Sequence, residues 1–401
     1  MFKKWFVGVT AAVAICGALT VQAMTWKPNP VHVALWRAAA ERGYPQAQCN
    51  LGMCYAYGAG VKKDLAQAAH WYRKAAEQGY AQAQYNLGVC YARGDGVKKD
   101  LEQAVRWYLK AAEQNLDYAQ RILGACYFRG EGVKRDLERS AYWSRKAAEQ
   151  GDSWGQVQFG ICLWFGTGVK KDRAEAVKYF RRAAARNNAC ARACLGFAYI
   201  TGGGVEEDPA EAVKFFRKAA PEFPKANINL AVCYAAGDGV PRDFKRAAEL
   251  LRQPAEQGIK DAQSRLASLY YHGWGVEKDL VKAVYWYRKA AAQESFAAQM
   301  SLGWCYEFGR GVKRNLDRAA MWYARAAEND ADNDSISPAQ TARRRREAEF
   351  CLARVNYKRG VCFETGDGEE KDAEAAAMCY SNAAAMGYEP AKDALKRLGY
   401  Y

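Results

Sequence analysis

The stretch Gly79–Gln114 reads GYAQAQYNLGVCYARGDGVKKDLEQAVRWYLKAAEQ, and almost everything after residue 30 is a variation on it. Its clearest mark is a Gly-x-Gly pair. Seven of the eight steps between successive pairs are 35 or 36 residues, and the last is 57. A fixed period of this length is typical of stacked copies of one supersecondary unit, so we predict a repeat protein. The pairs begin at Gly58, Gly94, Gly130, Gly166, Gly202, Gly237, Gly273, Gly309 and Gly366.

Each copy predicts two helices. In the quoted stretch, Ala83, Leu87 and Tyr91 recur at i, i+4 and i+8, which is an apolar stripe of helical period. Gly94 ends this first helix because glycine adopts positive φ at little cost. A small residue inside every first helix indicates close approach of another helix. These residues are Gly52, Gly88, Gly124, Gly160, Gly196, Ala231, Ala267, Gly303 and Gly360.

An acidic or amide residue precedes every second helix. A side-chain oxygen at this place is suited to accept a hydrogen bond from the free N–H groups at the start of a helix. We therefore predict nine N-caps. They are Asp64, Asp100, Asp136, Asp172, Asp208, Asp243, Asp279, Asn315 and Asp372.

The shared pattern A-x-x-x-L-G-x-x-Y-x-x-G-x-G-V-x-x-D-x-x-x-A-x-x-W/Y-Y-x-K-A-A-x-x-G resembles the Sel1-like repeat, a relative of the tetratricopeptide repeat. The resemblance covers residues 44–388 in nine copies. It implies an all-α fold, a right-handed superhelical solenoid of antiparallel helix pairs. It also implies a scaffold that holds other proteins together, with no enzymatic activity and no cofactor.

Both ends of the chain depart from the repeat. Residues 1–23 have two lysines, an apolar run and a small-residue end, which predicts a signal peptide; an uncleaved membrane anchor is the alternative. Removing this segment leaves a net charge of +13. Residues 24–43 predict an N-terminal capping helix, and residues 389–401 a C-terminal one. We expect a bacterial periplasmic or secreted protein, with no membrane span after cleavage.

An insertion at about residues 329–349 accounts for the 57-residue step. Asp330, Asp332 and Asp334 resemble the opening of a calcium loop, but Ser335 stands where such a loop needs glycine. We therefore predict no calcium site. The insertion is interpreted as a solvated loop leading into a lengthened ninth first helix; a partner-binding protrusion is the alternative.

The cysteines are unusual for an exported protein, because twelve remain after cleavage. Neighbouring copies of one repeated position should lie too far apart for disulfides, so these seven are predicted to be small buried side chains. They are Cys54, Cys90, Cys126, Cys162, Cys233, Cys305 and Cys362. Disulfides remain open for five others. Those are Cys49, Cys190, Cys194, Cys351 and Cys379.

Motifs for chemistry are weak. Residues 151–155 read G-D-S-W-G, but a nucleophile elbow needs a preceding strand, and this site follows a predicted helix. No Cys-x-x-Cys pair or Cys/His cluster indicates a metal. The alternative function is a cell-envelope hydrolase directed at β-lactams or peptidoglycan, an activity attributed to cysteine-rich Sel1-like proteins. No serine here has the lysine three places on that penicillin-recognising enzymes use.

One face of the first helices varies among the copies and resembles the concave groove of the tetratricopeptide fold. The face contains aromatic and arginine side chains, which are common in binding hot spots. We predict that protein or peptide partners bind there; packing between successive first helices is the alternative. The candidates are Tyr85, Arg93, Tyr118, Arg121, Phe128, Arg129, Trp154, Trp164, Phe165, Phe197, Tyr271, His272, Trp304 and Phe308.

The loops inside the repeats carry pairs of basic residues, and stacking should align them along one edge. Such an edge suits an anionic envelope polymer, and a solvated rim that maintains solubility is the alternative. An exported chain without a binding motif is not expected to bind nucleic acid. The pairs are Lys62-Lys63, Lys98-Lys99, Lys134-Arg135, Lys170-Lys171 and Lys313-Arg314.

Overall fold

The computed structural model describes residues 30–329 and 338–400, and this part of the chain is all-helical. Its twenty helices are α1 (Pro30–Glu41), α2 (Pro45–Tyr57), α3 (Leu65–Glu77), α4 (Ala81–Arg93), α5 (Leu101–Glu113), α6 (Asp117–Arg129), α7 (Leu137–Glu149), α8 (Ser153–Phe165), α9 (Arg173–Ala185), α10 (Ala189–Thr201), α11 (Pro209–Ala219), α12 (Pro224–Ala236), α13 (Phe244–Glu256), α14 (Lys260–His272), α15 (Leu280–Ala291), α16 (Phe296–Phe308), α17 (Leu316–Ala327), α18 (Pro338–Thr365), α19 (Ala373–Ala385) and α20 (Glu389–Arg397). Even numbers from α2 to α18 are first helices, and odd numbers from α3 to α19 are second helices.

The described residues divide into two compact units. The N-terminal unit contains residues 30–219, with helices α1 to α11. The C-terminal unit contains the described residues from 220 onward, with helices α12 to α20. Within each unit, every helix packs against the next one along the chain, as stacked repeats require.

The predicted helix ends are confirmed. Gly94 follows α4 with φ of 81°, and its amide donates to the carbonyl of Cys90. Asp100 then accepts a hydrogen bond from the amide of Gln103, at 3.0 Å, and so caps α5. All nine predicted N-caps make this bond to the amide three residues ahead. Each of these side chains satisfies one N–H group that the helix cannot satisfy itself.

The small residue inside each first helix lies against the second helix of the same repeat. A methyl group built on Gly88 would lie 2.6 Å from the ring of Tyr108, and one on Gly303 would lie 2.5 Å from Tyr323. Most copies repeat this pairing of a glycine with an aromatic ring. The close approach predicted from the sequence is confirmed, and it explains why glycine is kept inside a helix despite its cost of about 1 kcal/mol.

Two contacts join neighbouring repeats within the units, and each recurs in several copies. In six copies the second glycine of the Gly-x-Gly pair lies on the start of the preceding second helix, and a methyl group on Gly96, for example, would meet the Leu65 carbonyl at 2.0 Å. A buried glutamine makes the second contact. Gln84 donates to the Ala76 carbonyl of the preceding repeat and accepts from Gln114 of its own repeat. The same pair of bonds recurs at Gln48, Gln120 and Gln263.

Helices α1 and α20 lie at the two ends of the series. Val33 and Ala40 of α1 are buried in a cluster with Leu51 of α2. Leu395 of α20 is buried in a cluster with Tyr380 of α19. The proposed signal peptide lies outside the described residues. Of the insertion, residues 330–337 lie outside them too, while the rest enters α18. This helix has 28 residues, so the lengthened ninth first helix is confirmed.

The repeated cysteines are buried, as predicted, and the structure shows all twelve described cysteines as free thiols. Burial raises the pKa of Cys54 to about 11 and the pKa of Cys305 to about 12. Because the thiolate is the reactive form, these side chains stay protonated and act as small apolar groups. The five cysteines with open disulfide assignments are also free thiols, and Cys351 is the most exposed of them.

Candidate functional site

Several candidate groove residues of the N-terminal unit pack in its interior. Tyr85 is buried, and Tyr118 lies edge-on to it with ring centroids 4.6 Å apart. The Tyr118 hydroxyl on α6 also donates to the side-chain oxygen of Gln82 on α4, the preceding first helix. Arg121 is only 4% exposed, and its Nε lies 3.3 Å from the Asp152 carboxylate. The alternative interpretation, packing between successive first helices, describes these residues.

Trp164 is also part of the interior, since it is 4% exposed. Its ring centroid lies 5.6 Å from that of Phe197 and 6.3 Å from that of Phe180. Gly203 makes room for it, because a methyl group there would lie 2.3 Å from the indole. The other copies carry larger residues at the middle of Gly-x-Gly, such as Asp95. Reading those two positions together could have indicated that Trp164 is buried.

The remaining candidates of this unit are partly or fully accessible. Phe165 is 46% exposed, and Arg93 is exposed. Arg129 pairs with Glu131 at 2.9 Å, and Phe128 lies beneath Arg135 at 5.7 Å. Trp154 is half-buried. The structure therefore brings no continuous exposed aromatic surface together from these side chains.

The C-terminal unit differs. Trp304 and Phe308 lie one turn apart on α16, are 43% and 40% exposed, and have ring centroids 4.2 Å apart. The indole Nε1 of Trp304 donates to the Tyr271 hydroxyl on α14, at 3.1 Å. We call these three side chains, Tyr271, Trp304 and Phe308, the aromatic shelf. These contacts link the three side chains, and the rings of Trp304 and Phe308 face solvent.

Two cations from α18 border the aromatic shelf. The Arg354 guanidinium carbon lies 5.8 Å from the Trp304 ring, and Lys358 Nζ lies 4.5 Å from the Phe308 ring. Glu307 holds both of them. Its carboxylate accepts from Arg354 Nε and Nη2 at 3.0 and 2.8 Å, and from Lys358 Nζ at 2.9 Å. Aromatic rings with adjacent cations can bind apolar and acidic groups together.

Glu307 is a fully buried carboxylate that also accepts from the Tyr323 hydroxyl, at 2.9 Å. Burial by itself raises the pKa of Glu307, but the hydrogen bonds from Arg354, Lys358 and Tyr323 outweigh it and hold the pKa below its ordinary value. The carboxylate is therefore ionised, and it fixes the positions of the two cations. One carboxylate against two cations leaves this part of the surface with a charge of +1.

His272 belongs to a second aromatic group beside the shelf. Its ring stacks on Trp274 at 4.3 Å, and Trp274 stacks on Phe244 at 5.3 Å. Burial and the charge of Lys278 lower the pKa of His272, so the imidazole is neutral near pH 7. Trp274 is 40% exposed.

Four residues at or beside the aromatic shelf did not stand out in the sequence: Trp274, Glu307, Arg354 and Lys358. Two of them carried a signal. Trp274 interrupts a Gly-x-Gly pair where other copies have small or polar residues, and Glu307 stands where Phe128, Trp164 and Tyr271 stand in their copies. Arg354 and Lys358 follow the insertion, so their register against the other first helices was hard to assign.

The basic loop pairs are exposed in every copy named above. Four of them belong to consecutive repeats of the N-terminal unit, and Glu206 and Glu207 follow in the next loop. The fifth pair belongs to the C-terminal unit.

The serine of the G-D-S-W-G stretch lies at the start of a helix. Ser153 begins α8, directly after its N-cap Asp152, and its hydroxyl lies 3.4 Å from the Asn188 amide. Across residues 30–329 and 338–400, no three His, Cys, Asp or Glu side chains are grouped as metal ligands. The helices in these ranges include none with both the length and the apolar character of a membrane span.

Comparison with known proteins agrees with the architecture. The family model for the Sel1 repeat matches residues 45–80, 81–116, 117–152, 155–188, 189–220, 224–259, 260–295, 296–330 and 353–388. Among solved structures, the chain is similar to c5321, a protective antigen present in uropathogenic Escherichia coli strains displaying an SLR fold. That match has 35% identity and a TM-score of 0.58, and it covers 92% of this chain and 82% of the other.

A second similar structure is a Sel1 repeat protein from Oxalobacter formigenes. It shares 30% identity with a TM-score of 0.55, over 76% of this chain and 92% of the other. No curated protein matches the sequence.

Proposed function

Because the chain belongs to the Sel1-repeat family, we propose that it is an exported scaffold that binds a protein or peptide partner on the aromatic shelf. Sel1-repeat proteins are generally scaffolds for protein interactions and generally lack catalytic activity. The observation that carries the proposal is the exposure of Trp304 and Phe308 in a fixed pair. Large apolar side chains that the fold leaves in solvent often mark an interface.

The shelf also indicates the kind of partner. Its rings would contact an apolar side chain, and Arg354 and Lys358 would attract an acidic residue beside it. Because Glu307 already holds both cations in place, little side-chain entropy would be lost when a partner binds. We therefore propose an apolar and acidic segment as the bound element.

Export is the second part of the proposal. It is supported by the lysines, apolar run and small-residue end of residues 1–23. Cleavage there would deliver the remaining chain to the periplasm or the exterior. N-terminal sequencing of the protein from an exported fraction tests this part, and recovery of only the uncleaved chain in membranes would contradict it.

Site-specific photocrosslinking tests the binding part. A benzophenone-bearing phenylalanine replaces Phe308 in the full chain, and in a control it replaces Tyr142, an exposed aromatic residue of α7. We expect a defined crosslinked protein from position 308 and none from position 142. Equal crosslinking from both positions, or none from position 308, would count against the shelf.

The basic loop edge of the N-terminal unit supports a second interaction, with an anionic envelope polymer. Its four exposed pairs attract polyanions over roughly 10 Å at 0.1 M salt. Exchanging Lys98, Lys99, Lys134 and Arg135 for glutamate should reduce retention on dextran sulfate. Retention unchanged by these exchanges would remove the edge from the proposal.

A further inference from the structure

A cleft in the N-terminal unit lies among α9, α10 and α11 and has a volume of about 650 Å³. Its floor is apolar, with Ala184, Leu195 and the half-buried ring of Phe215. Three cationic side chains line it, and none of the described lining residues is acidic. The cations are Arg181, Arg192 and Lys218.

The cleft can be compared with the equivalent positions in the earlier repeats of the same chain. Glutamates stand one repeat period before Ala185 and at the earlier copies, namely Glu149, Glu113 and Glu77. In the preceding copy, Glu149 pairs with Arg145 at 2.8 Å. Because Ala185 replaces that glutamate, Arg181 has no carboxylate one turn ahead of it on α9.

The second departure is Arg192. It occupies the place of the buried glutamines that join the repeats, which are Gln84, Gln120 and Gln156. An arginine cannot accept the hydrogen bond that Gln84 accepts from Gln114. The exchange therefore replaces an acceptor by a donor and adds a positive charge to the cleft. Two departures from the pattern, Ala185 and Arg192, change the charge of one cleft in the same direction.

The other two cations have ordinary explanations. Arg181 and Lys218 lie near the C-terminal ends of second helices, where cations interact favourably with the helix dipole. Arg145 and Lys146 of α7 are the corresponding residues in earlier copies. The inference depends on Ala185 and Arg192, and on the apolar floor beside them.

The cleft walls are fixed in position. Arg192 donates to the Asn187 side-chain carbonyl at 2.6 Å and to the Lys218 backbone carbonyl at 3.4 Å. Arg181 donates to the Tyr199 hydroxyl at 3.3 Å, and Tyr199 stacks on Phe215 with centroids 5.6 Å apart. These contacts hold two guanidinium groups and an aromatic ring around one opening.

We propose that this cleft binds a segment of a partner polypeptide in which an acidic side chain stands next to an apolar one. The carboxylate would contact the guanidinium groups, whose planar donors match its two oxygens. The apolar side chain would cover the half-buried Phe215 and Ala184, and so remove apolar surface from water. This site belongs to the N-terminal unit, whereas the aromatic shelf belongs to the C-terminal unit, so each can fail without the other.

Isothermal titration calorimetry tests the proposal with the full chain carrying Trp304→Ala and Phe308→Ala, so that the aromatic shelf, which is proposed to take the same kind of segment, does not contribute. The ligand is a peptide of alternating glutamate and leucine, capped at both ends so that it has no terminal charge. One comparison peptide replaces glutamate with glutamine, and another replaces leucine with serine. We expect the glutamate–leucine peptide to bind at least about tenfold more tightly than either comparison peptide, because the cleft offers both charge and apolar surface.

Two variants place in the cleft the residues that earlier copies have at the same positions. Because those residues occur in folded repeats of this chain, we expect both variants to fold. Arg192→Gln and Ala185→Glu should each weaken binding of the glutamate–leucine peptide about tenfold, with thermal unfolding close to that of the wild type. Arg145→Gln, in the preceding copy, should leave binding unchanged. Equal binding of the glutamate and glutamine peptides, no binding of any peptide, or binding unaffected by both cleft variants would overturn the proposal.

Discussion

Trp164 and Trp304 show how one residue type on one kind of helix takes two roles. Trp164 is 4% exposed and packs on Phe180 and Phe197, whereas Trp304 is 43% exposed. Glycine at position 203 creates the space for the first ring. Comparison of the repeats identified both tryptophans as residues of a variable helix face. Whether such a ring is buried depends on the residues of the next copy, so burial could not be predicted from either position alone.

Replacing Trp164 should therefore damage the fold. We expect Trp164→Ala to lower the free energy of unfolding by about 3–5 kcal/mol, because it leaves a cavity among buried rings. Phe165→Ala, which removes the exposed neighbour, should cost less than about 1 kcal/mol. Denaturant unfolding followed by circular dichroism measures both. Equal stability of the two variants would show that Trp164 is not a packing residue.

Glu307 connects stability to pH. Its pKa is below the ordinary value in the folded chain, so its contribution to stability is complete above about pH 5 and is lost as the pH falls through the folded pKa. Glu307→Gln should lower the free energy of unfolding by about 2 kcal/mol at pH 7, since Arg354, Lys358 and Tyr323 lose a charged acceptor.

Measuring the free energy of unfolding of wild type and Glu307→Gln at pH 7 and at pH 3.5 checks the direction of the Glu307 pKa shift. The difference between wild type and Glu307→Gln should shrink as the pH falls, because protonation removes the charge from the wild-type side chain. A difference that stayed constant or grew at low pH would contradict a lowered pKa.

At the scale of elements, the helix ends could be predicted almost completely from sequence. The nine N-caps and the glycines after the first helices depend on contacts within three to five residues, and such local chemistry repeats with the sequence. The glutamine contacts between repeats were not anticipated. Gln84 joins a carbonyl eight residues back to a side chain thirty residues ahead, and periodicity alone does not indicate such partners.

The second glycine has two roles in six of the pairs, and a matched pair of variants separates them. Gly96→Ala must adopt positive φ and also meets the Leu65 carbonyl, so we expect a loss of more than about 3 kcal/mol. Gly79→Ala needs the same kind of φ but has open space around it, so only about 1–2 kcal/mol should be lost. Calorimetric unfolding measures both. Similar losses at the two positions would mean that the contact between repeats contributes little.

At the scale of the whole molecule, the repeat architecture followed from the 36-residue period, since neighbouring copies within each unit pack against each other. The division of the chain between Ala219 and Ala220 could not be predicted from that period. Two local signals lie close to it. Helix α11 has 11 residues and is followed by Pro221, which restricts the residue before it, and Arg192 replaces a joining glutamine. Each of these departures affects only one copy. The regular repeat period therefore gives no reason to expect a division there.

The proposed binding surface was harder to predict than the stacking of the repeats, because it depends on differences between copies. Aromatic residues on first helices pack in one copy and lie in solvent in another, and the cations of the aromatic shelf come from α18, beyond the insertion. Only the structure brings Arg354 and Lys358 to the rings of Trp304 and Phe308.

The most direct measurement is calorimetric titration of the crosslinked partner, once identified, against wild type and the double variant Trp304→Ala, Phe308→Ala. We predict that the variant loses at least about 3 kcal/mol of binding free energy, as truncated hot spots do, while its free energy of unfolding changes by less than about 1 kcal/mol. Unchanged affinity in a folded variant would contradict the proposal that this surface binds the partner.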